Sequence, residues 1–232
     1  KKNYFYNSSK LIKIFTWALL LLMITLGSCT SIYVKGKPDL LPYMLNPVAF
    51  LPTKSPKNLE SIWPDLMNKI EQFLRKIPAL GKIKGIKELN NKLDANSKLR
   101  SEYKTYISTL TLTGISDKEI ALRLEDEFES PYFLFLDFVS FPCTKECPSD
   151  EQWVIRLKLI EVNTGEIIFR ARLLHQVEEE EQNVKLYQNL AENMISEIME
   201  EFKENFIVPW HRWRYEHIKK VSEINLRSEM GI

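Results

Sequence analysis

Glycine is scarce in this chain: seven of 232 residues, at positions 27, 36, 81, 85, 114, 165 and 231. Loops that cradle phosphate need clustered glycines so that backbone N–H groups can approach the ligand, and neither G-x-x-x-x-G-K-[ST] nor G-x-G-x-x-G occurs. Histidine is scarcer still, with only His175, His211 and His217. No two of them stand four apart, and the metalloprotease motif H-E-x-x-H and the hydrolase motif G-x-S-x-G are both absent. A metal site or a nucleophilic triad would have to be assembled from scattered residues. No catalytic residue and no metal ligand is therefore assigned, and neither an enzyme nor a small-molecule substrate is expected. A strong charge of either sign is also missing. The formal net charge is +1, and Lys1, Lys2, Lys10 and Lys13 are the only charged side chains before Cys29. Taking those four from 32 basic residues leaves 28 against 31 acidic ones, a net of −3. The body of the chain has no basic bias, and no nucleic-acid partner is expected.

A long apolar run is missing too. Ile14 to Leu26 is a stretch of 13 residues interrupted by Thr16 and Thr25, whereas spanning a bilayer takes about 20. What stands there instead is a basic flank, a short apolar run and then small residues, the pattern of a secretory signal peptide. It ends in Leu26-Gly27-Ser28-Cys29, which resembles the bacterial lipobox. That resemblance implies a signal peptide over 1–28, cleavage before Cys29, and covalent lipid on Cys29 as the only attached group; no cofactor is expected. Several acyl chains together give stable anchoring, because each buried CH₂ contributes about 0.8 kcal/mol. Thr30 rather than Asp follows the cysteine, which in the enterobacterial sorting pattern implies the periplasmic face of the outer membrane. The competing reading is a plain signal peptide or an uncleaved anchor with Cys29 incidental.

Beyond the leader, residues 29–45 mix Gly, Pro and short apolar pieces without a period and read as a tether. Pro47 to Pro52 is a short apolar run with Pro at both ends and reads as a short strand. Leu59, Ile62, Trp63, Leu66, Met67, Ile70, Phe73, Leu74 and Ile77 recur every three or four residues, which predicts an amphipathic helix. Pro64 fits only the first turn, so the helix starts near Ser61. Lys82 to Lys84 reads as a short edge strand. Helices are predicted over 87–93 and 98–112, the second ended by Gly114. Ser116-Asp117-Lys118-Glu119 reads as a capping box with Ser116 at the cap.

Three β signals then follow in order. Residues 131–141 (PYFLFLDFVSF) are almost continuously apolar, as in a central strand. Residues 153–160 alternate, with Trp153, Ile155, Leu157 and Leu159 on one face and Arg156 and Lys158 on the other. Asn163-Thr164-Gly165 is a hairpin turn, and 166–174 alternates again, with Ile167, Phe169, Ala171 and Leu173 expected to face inward. Val184, Tyr187, Leu190, Ala191, Met194, Ile195, Ile198, Met199 and Phe202 form the stripe of a last long helix. The expected fold class is α+β. A single mixed sheet, with a C-terminal antiparallel meander over 131–174, packs against long amphipathic helices over 61–77 and 178–206.

"PVAFLPT", "SPYFLFLDFVSF" and "VIRLKLIEVNTGEIIFRARL", in this order and followed by an amphipathic helix, resemble the anticodon-binding-domain-like α/β fold of bacterial envelope proteins. That group includes the curli secretion lipoprotein CsgG, the N-terminal domain of TolB, and the penicillin-binding-protein activator LpoB. The resemblance covers residues 46–206, leaving an aromatic and basic extension over 207–232. It implies a non-enzymatic protein-binding or assembly module with an envelope protein as partner. The alternative is a subunit of a secretion or multiprotein complex; a cell-wall enzyme ranks behind both.

Three constellations stand out in the mature chain. Cys143 and Cys147 bracket Thr-Lys-Glu and read as a disulfide in an oxidising compartment; half of a metal site is the competing reading. Trp210, Arg212, Trp213, Arg214 and Tyr215 have the composition of a partner-binding patch, although such a stripe also packs on its own domain. Asp137 interrupts an oily strand. A strand-end position explains it, or a pair with Arg156, Arg170 or Arg172.

Overall fold

The computed structural model describes residues 31–36, 46–56, 59–77, 80–142, 151–177 and 188–204. Residues 1–28, expected to be a signal peptide, lie outside the described residues, as do Cys29, Cys143 and Cys147. So do Val184, Tyr187, and the patch residues Trp210, Arg212, Trp213, Arg214 and Tyr215.

A six-stranded sheet organises the described chain. Its strands are β1 (Ser31–Gly36), β2 (Val48–Leu51), β3 (Ile83–Lys84), β4 (Tyr132–Pro142), β5 (Glu151–Glu161) and β6 (Glu166–Val177), in the spatial order β1-β6-β5-β4-β2-β3. β4, β5 and β6 pair antiparallel as the expected meander, while β2 lies parallel to both β3 and β4. The sheet is therefore mixed and the fold class is α+β. The helices are α1 (Trp63–Leu74), α2 (Ile86–Ala95), α3 (Ser97–Thr113), α4 (Lys118–Phe128) and α5 (188–204).

Both faces of the sheet carry helices, because apolar residues occupy both sides of its central strands. On one face Phe50, Leu134, Leu136, Ile155, Leu157, Phe169 and Leu173 pack against the stripes of α1 and α5. On the other, Leu51, Phe133, Phe135, Ile160 and Val162 pack against α2, α3 and α4. The near-continuous apolar run of β4 follows from burial on both sides.

Local chemistry explains the helix ends. Pro64 sits in the first turn of α1, where no intrahelical donor is needed. The Asn96 side chain accepts from the N–H groups of Lys98 and Leu99, both at 3.1 Å, and so caps α3. α3 ends at Gly114, whose φ of 75° is left-handed and suits glycine.

Four details depart from the sequence expectations. Residues 29–45 were expected to be a tether, but Ser31–Gly36 is an edge strand paired with β6. Ile32 and Val34 alternate with Tyr33 and Lys35, and this short period-2 pattern is enough for one ladder once β6 offers an edge. The cap of α4 is Asp117 rather than Ser116; its side chain accepts from Ile120 N–H at 3.1 Å. Ser116 is buried and its hydroxyl lies 2.9 Å from the Tyr106 hydroxyl. In β6, Leu159 faces Phe169 but Ile160 faces Ile167, so Ile168 is an extra residue, a β-bulge. Ile168 and Phe169 consequently enter the α1/α5 core together, and Ile167 packs on the opposite core. Finally, Lys158 is not on a solvated face. It is 8% exposed beneath the C-terminal end of α3, because α2–α4 build a second layer there.

Candidate functional site

The site begins where β2 stops and β4 does not. β2 pairs with β4 only from Val48↔Tyr132 to Leu51↔Phe135. β4 continues to Pro142, and from Leu136 onward its only strand partner among the described residues is β5. That leaves a strand edge with no strand neighbour past Phe135 among the described residues, although Leu136, Asp137 and Phe138 are themselves buried beside the groove.

The chain leaving β2 turns beside this edge and is clamped from both layers. Trp63 Nε1 of α1 donates to the Thr53 carbonyl at 3.3 Å. The Tyr103 hydroxyl of α3 donates to the Pro52 carbonyl. Burial pushes the Tyr103 phenol well above its usual range, so it stays a neutral donor throughout the ordinary pH range. Between the two clamps opens a groove of about 1140 Å³, bounded by residues 52–55, α1, α2, α3 and the edge of β4. It lies outside the carboxyl ends of parallel β2 and β3, the position where open α/β sheets offer a crevice.

The groove is chemically mixed. Trp63 and Phe138 meet edge to face with centroids 6.3 Å apart and form an aromatic wall. Asn68, Asn90, Asn91 and Ser108 offer amides and a hydroxyl. Thr53 Oγ1 is buried at the groove and has no hydrogen-bond partner among the described residues, a costly state unless a ligand or water completes it.

Each carboxylate lining the groove is already engaged. Glu71 accepts from Arg75 Nη2 at 2.6 Å and from the Ile86 N–H at 3.1 Å. Asp94 pairs with Arg100 at 2.9 Å. Asp137, 8% exposed, accepts from Arg156 on the neighbouring strand. Burial pushes the Asp137 carboxyl above the usual aspartate range, opposed by Arg156 and Lys158. Of the partners the sequence offered for Asp137, the fold selects Arg156, its register partner.

The other residues singled out in the sequence do not join this groove. His175 lies on β6 opposite Trp153, and His211 and His217 lie outside the described residues. Among the described residues, no three His, Cys, Asp or Glu side chains stand together as metal ligands. No helix among them is long and apolar enough to cross a membrane. Sequence reading missed the groove because residues 52–55, 63, 103 and 138 meet only through the sheet topology. One usable signal was Trp63 beside Pro64, a donor-bearing aromatic in the first turn of a helix.

No protein-family model matches the chain, and no curated protein matches it. Solved structures of PelC dodecamers from Paraburkholderia phytofirmans are distantly similar. One, of a single-substitution variant, gives a TM-score of 0.40 at 10% identity, over 73% of this chain and 95% of that one. Another gives 0.39 at 13% identity, over 73% and 94%.

Proposed function

We propose that this chain is a lipid-anchored, non-enzymatic protein-binding module of the bacterial cell envelope, held by Cys29 on the periplasmic face of the outer membrane. The leader and lipobox support the location, and the resemblance to the anticodon-binding-domain-like envelope proteins supports the class. The observation that carries the binding role is the groove of about 1140 Å³ beside a β4 edge that has no strand neighbour past Phe135 among the described residues. An extended segment of a partner protein can add to such an edge by backbone hydrogen bonds, with the flanking pocket selecting its side chains. Amides, hydroxyls and aromatic surface suit a peptide. The lining carboxylates are held by Arg75, Arg100 and Arg156, which leaves none poised for acid–base work. Anchoring raises the effective concentration of the groove for a membrane-bound partner.

A photo-crosslinking residue at Asn90 or Ser108, in intact cells, tests this reading. Both positions should give one discrete adduct, while a crosslinker at Glu192 on α5 should not. Correctly processed protein with no groove-specific adduct would refute it. Intact mass of the mature chain tests the anchor: it reports cleavage before Cys29, the acyl chains, and loss of two hydrogens if Cys143 and Cys147 are joined.

A further inference from the structure

The sheet face that carries α2–α4 is only partly covered by them. Two adjacent rows of side chains run across four strands, from positions buried beneath the helices to exposed ones on β6 and β1. The first is Asp137, Arg156, Arg172 and Tyr33; the second is Phe135, Lys158, Arg170 and Lys35. Together they hold five cations and one carboxylate, and that carboxylate is consumed by Arg156. Arg170, Arg172 and Lys35 are exposed and have no ion-pair partner among the described residues. Tyr33 is 55% exposed. This concentration of one sign stands out on a mature chain whose net charge is −3.

An apolar tip borders the cationic rows. Leu112 is 84% exposed and Ile115 67% exposed, the two most exposed large apolar side chains among the described residues. They flank Gly114 at the end of α3. Lys158 Nζ reaches the carbonyls of Leu110 and Gly114 at 3.5 and 3.4 Å, which sets the tip directly over the buried part of the second row. β1, the outer strand of these rows, begins two residues after Cys29, at most about 7 Å of extended chain.

We infer that this face, with Lys35, Arg170 and Arg172 as its charged contacts and Leu112 and Ile115 as its apolar contacts, docks the domain onto a bilayer bearing anionic phosphate headgroups. Peripheral membrane surfaces combine these same two features, buried apolar area and attraction of basic side chains to anionic lipid. The choice of a bilayer over a soluble polyanion rests on the anchor reading, because lipid at Cys29 places this end of the sheet next to headgroups. Docking fixes the orientation of the domain, where a lipid chain alone would leave it free to swivel.

The test uses the protein as processed in cells from the full chain, carrying Leu112→Cys labelled with an environment-sensitive fluorophore. It is mixed with vesicles of phosphatidylethanolamine and phosphatidylglycerol, or of neutral phosphatidylcholine, each made with a fraction of brominated lipid. Quenching of the label is expected on the anionic vesicles, with loss in 0.5 M salt, where screening shortens to a few ångströms. Arg170→Glu/Arg172→Glu should weaken the response by about tenfold or more, and Arg170→Gln/Arg172→Gln by less, with thermal midpoints unchanged. Equal quenching on neutral vesicles, none on anionic ones, or full quenching in the folded charge-reversed variant would each overturn the inference. So would displacement by soluble polyphosphate at phosphate concentrations below that of the exposed lipid. Flotation with neutral vesicles reports the anchor alone. A protein that fails to float, yet is quenched on anionic vesicles, would remove the anchor and leave the docking face standing.

Discussion

Arg156 and Asp137 face each other across neighbouring strands at the same register position, and the guanidinium donates directly to the carboxylate. The pair lies at the foot of the groove, next to the stretch of β4 that β2 does not reach. An inward-pointing charge at an edge also discourages indiscriminate strand pairing, so one residue serves both the core and the site. Removing one partner should cost far more than removing both. Asp137→Ala leaves a half-buried guanidinium without its carboxylate and is expected to cost about 2–4 kcal/mol. Asp137→Leu/Arg156→Leu should recover most of that loss. Urea denaturation of the two variants decides it, and equal losses would show that the pair contributes little.

Stability should rise with pH above 8. Burial first, then the nearby Arg156 and Arg170, push the Lys158 ammonium down to about 8, with Asp137 opposing. The unfolded chain holds that proton up to its ordinary value of 10.5. Between these values the unfolded state binds more protons than the folded one, so stability increases with pH, by at most about 1.4 kcal/mol per unit. Tyr106 acts in the opposite direction: burial raises it from 10.0 to about 12, so above pH 10 the unfolded state ionises first and stability falls. Urea midpoints measured from pH 7 to 12 should therefore peak near pH 10. Lys158→Met should erase the rise and keep the fall.

The Tyr103 clamp should govern how firmly the groove holds its shape. Tyr103→Phe removes only the donor to Pro52, leaving a half-buried carbonyl at the groove unpaired, at a cost of about 1 kcal/mol. Hydrogen exchange at the amides of residues 53–55 should speed up. Lys104→Ala, at the groove rim, should leave both quantities unchanged.

Gly85 is needed for space rather than for its backbone angles, which are extended. A Cβ there would come within 2.2 Å of Glu71 Oε1. Glu71 accepts from the Ile86 N–H and so caps α2 from a neighbouring helix. Gly85→Ala should displace that carboxylate and cost about 1–2 kcal/mol. Glu71→Gln/Gly85→Ala should lose little beyond the Glu71→Gln change, and thermal melts of the three variants would reveal additivity if this coupling is absent.

The meander was legible because β4, β5 and β6 each carry an unbroken β pattern and Gly165 marks their hairpin, with φ of 73° as the turn demands. Pro64 and Gly114 likewise punctuate helices in their own local chemistry. Three features were illegible for a common reason: each depends on what another element supplies. The burial of Lys158 depends on α3 lying over it. Ile167 and Ile168 are identical side chains, and only pairing with β5 decides which is the bulge. Ser31–Gly36 becomes a strand because β6 has an edge to share. Of the candidate site, Asp137 and its set of arginines were readable as a charge in an oily strand. The groove, built from residues far apart in sequence, was not.

The pairing of β1 also has a mechanical consequence. Ser31 pairs with Leu174 and Gly36 with Phe169, so tension applied at residue 30 across the strands loads the first pair before the others. The ladder then opens by unzipping, one rung after another, instead of shearing all rungs at once. Complete release would add six residues of slack, about 20 Å, while the two helix-covered cores stay intact. A force–extension trace pulled from residue 30 should show that short step at low force, well before the rupture of the sheet.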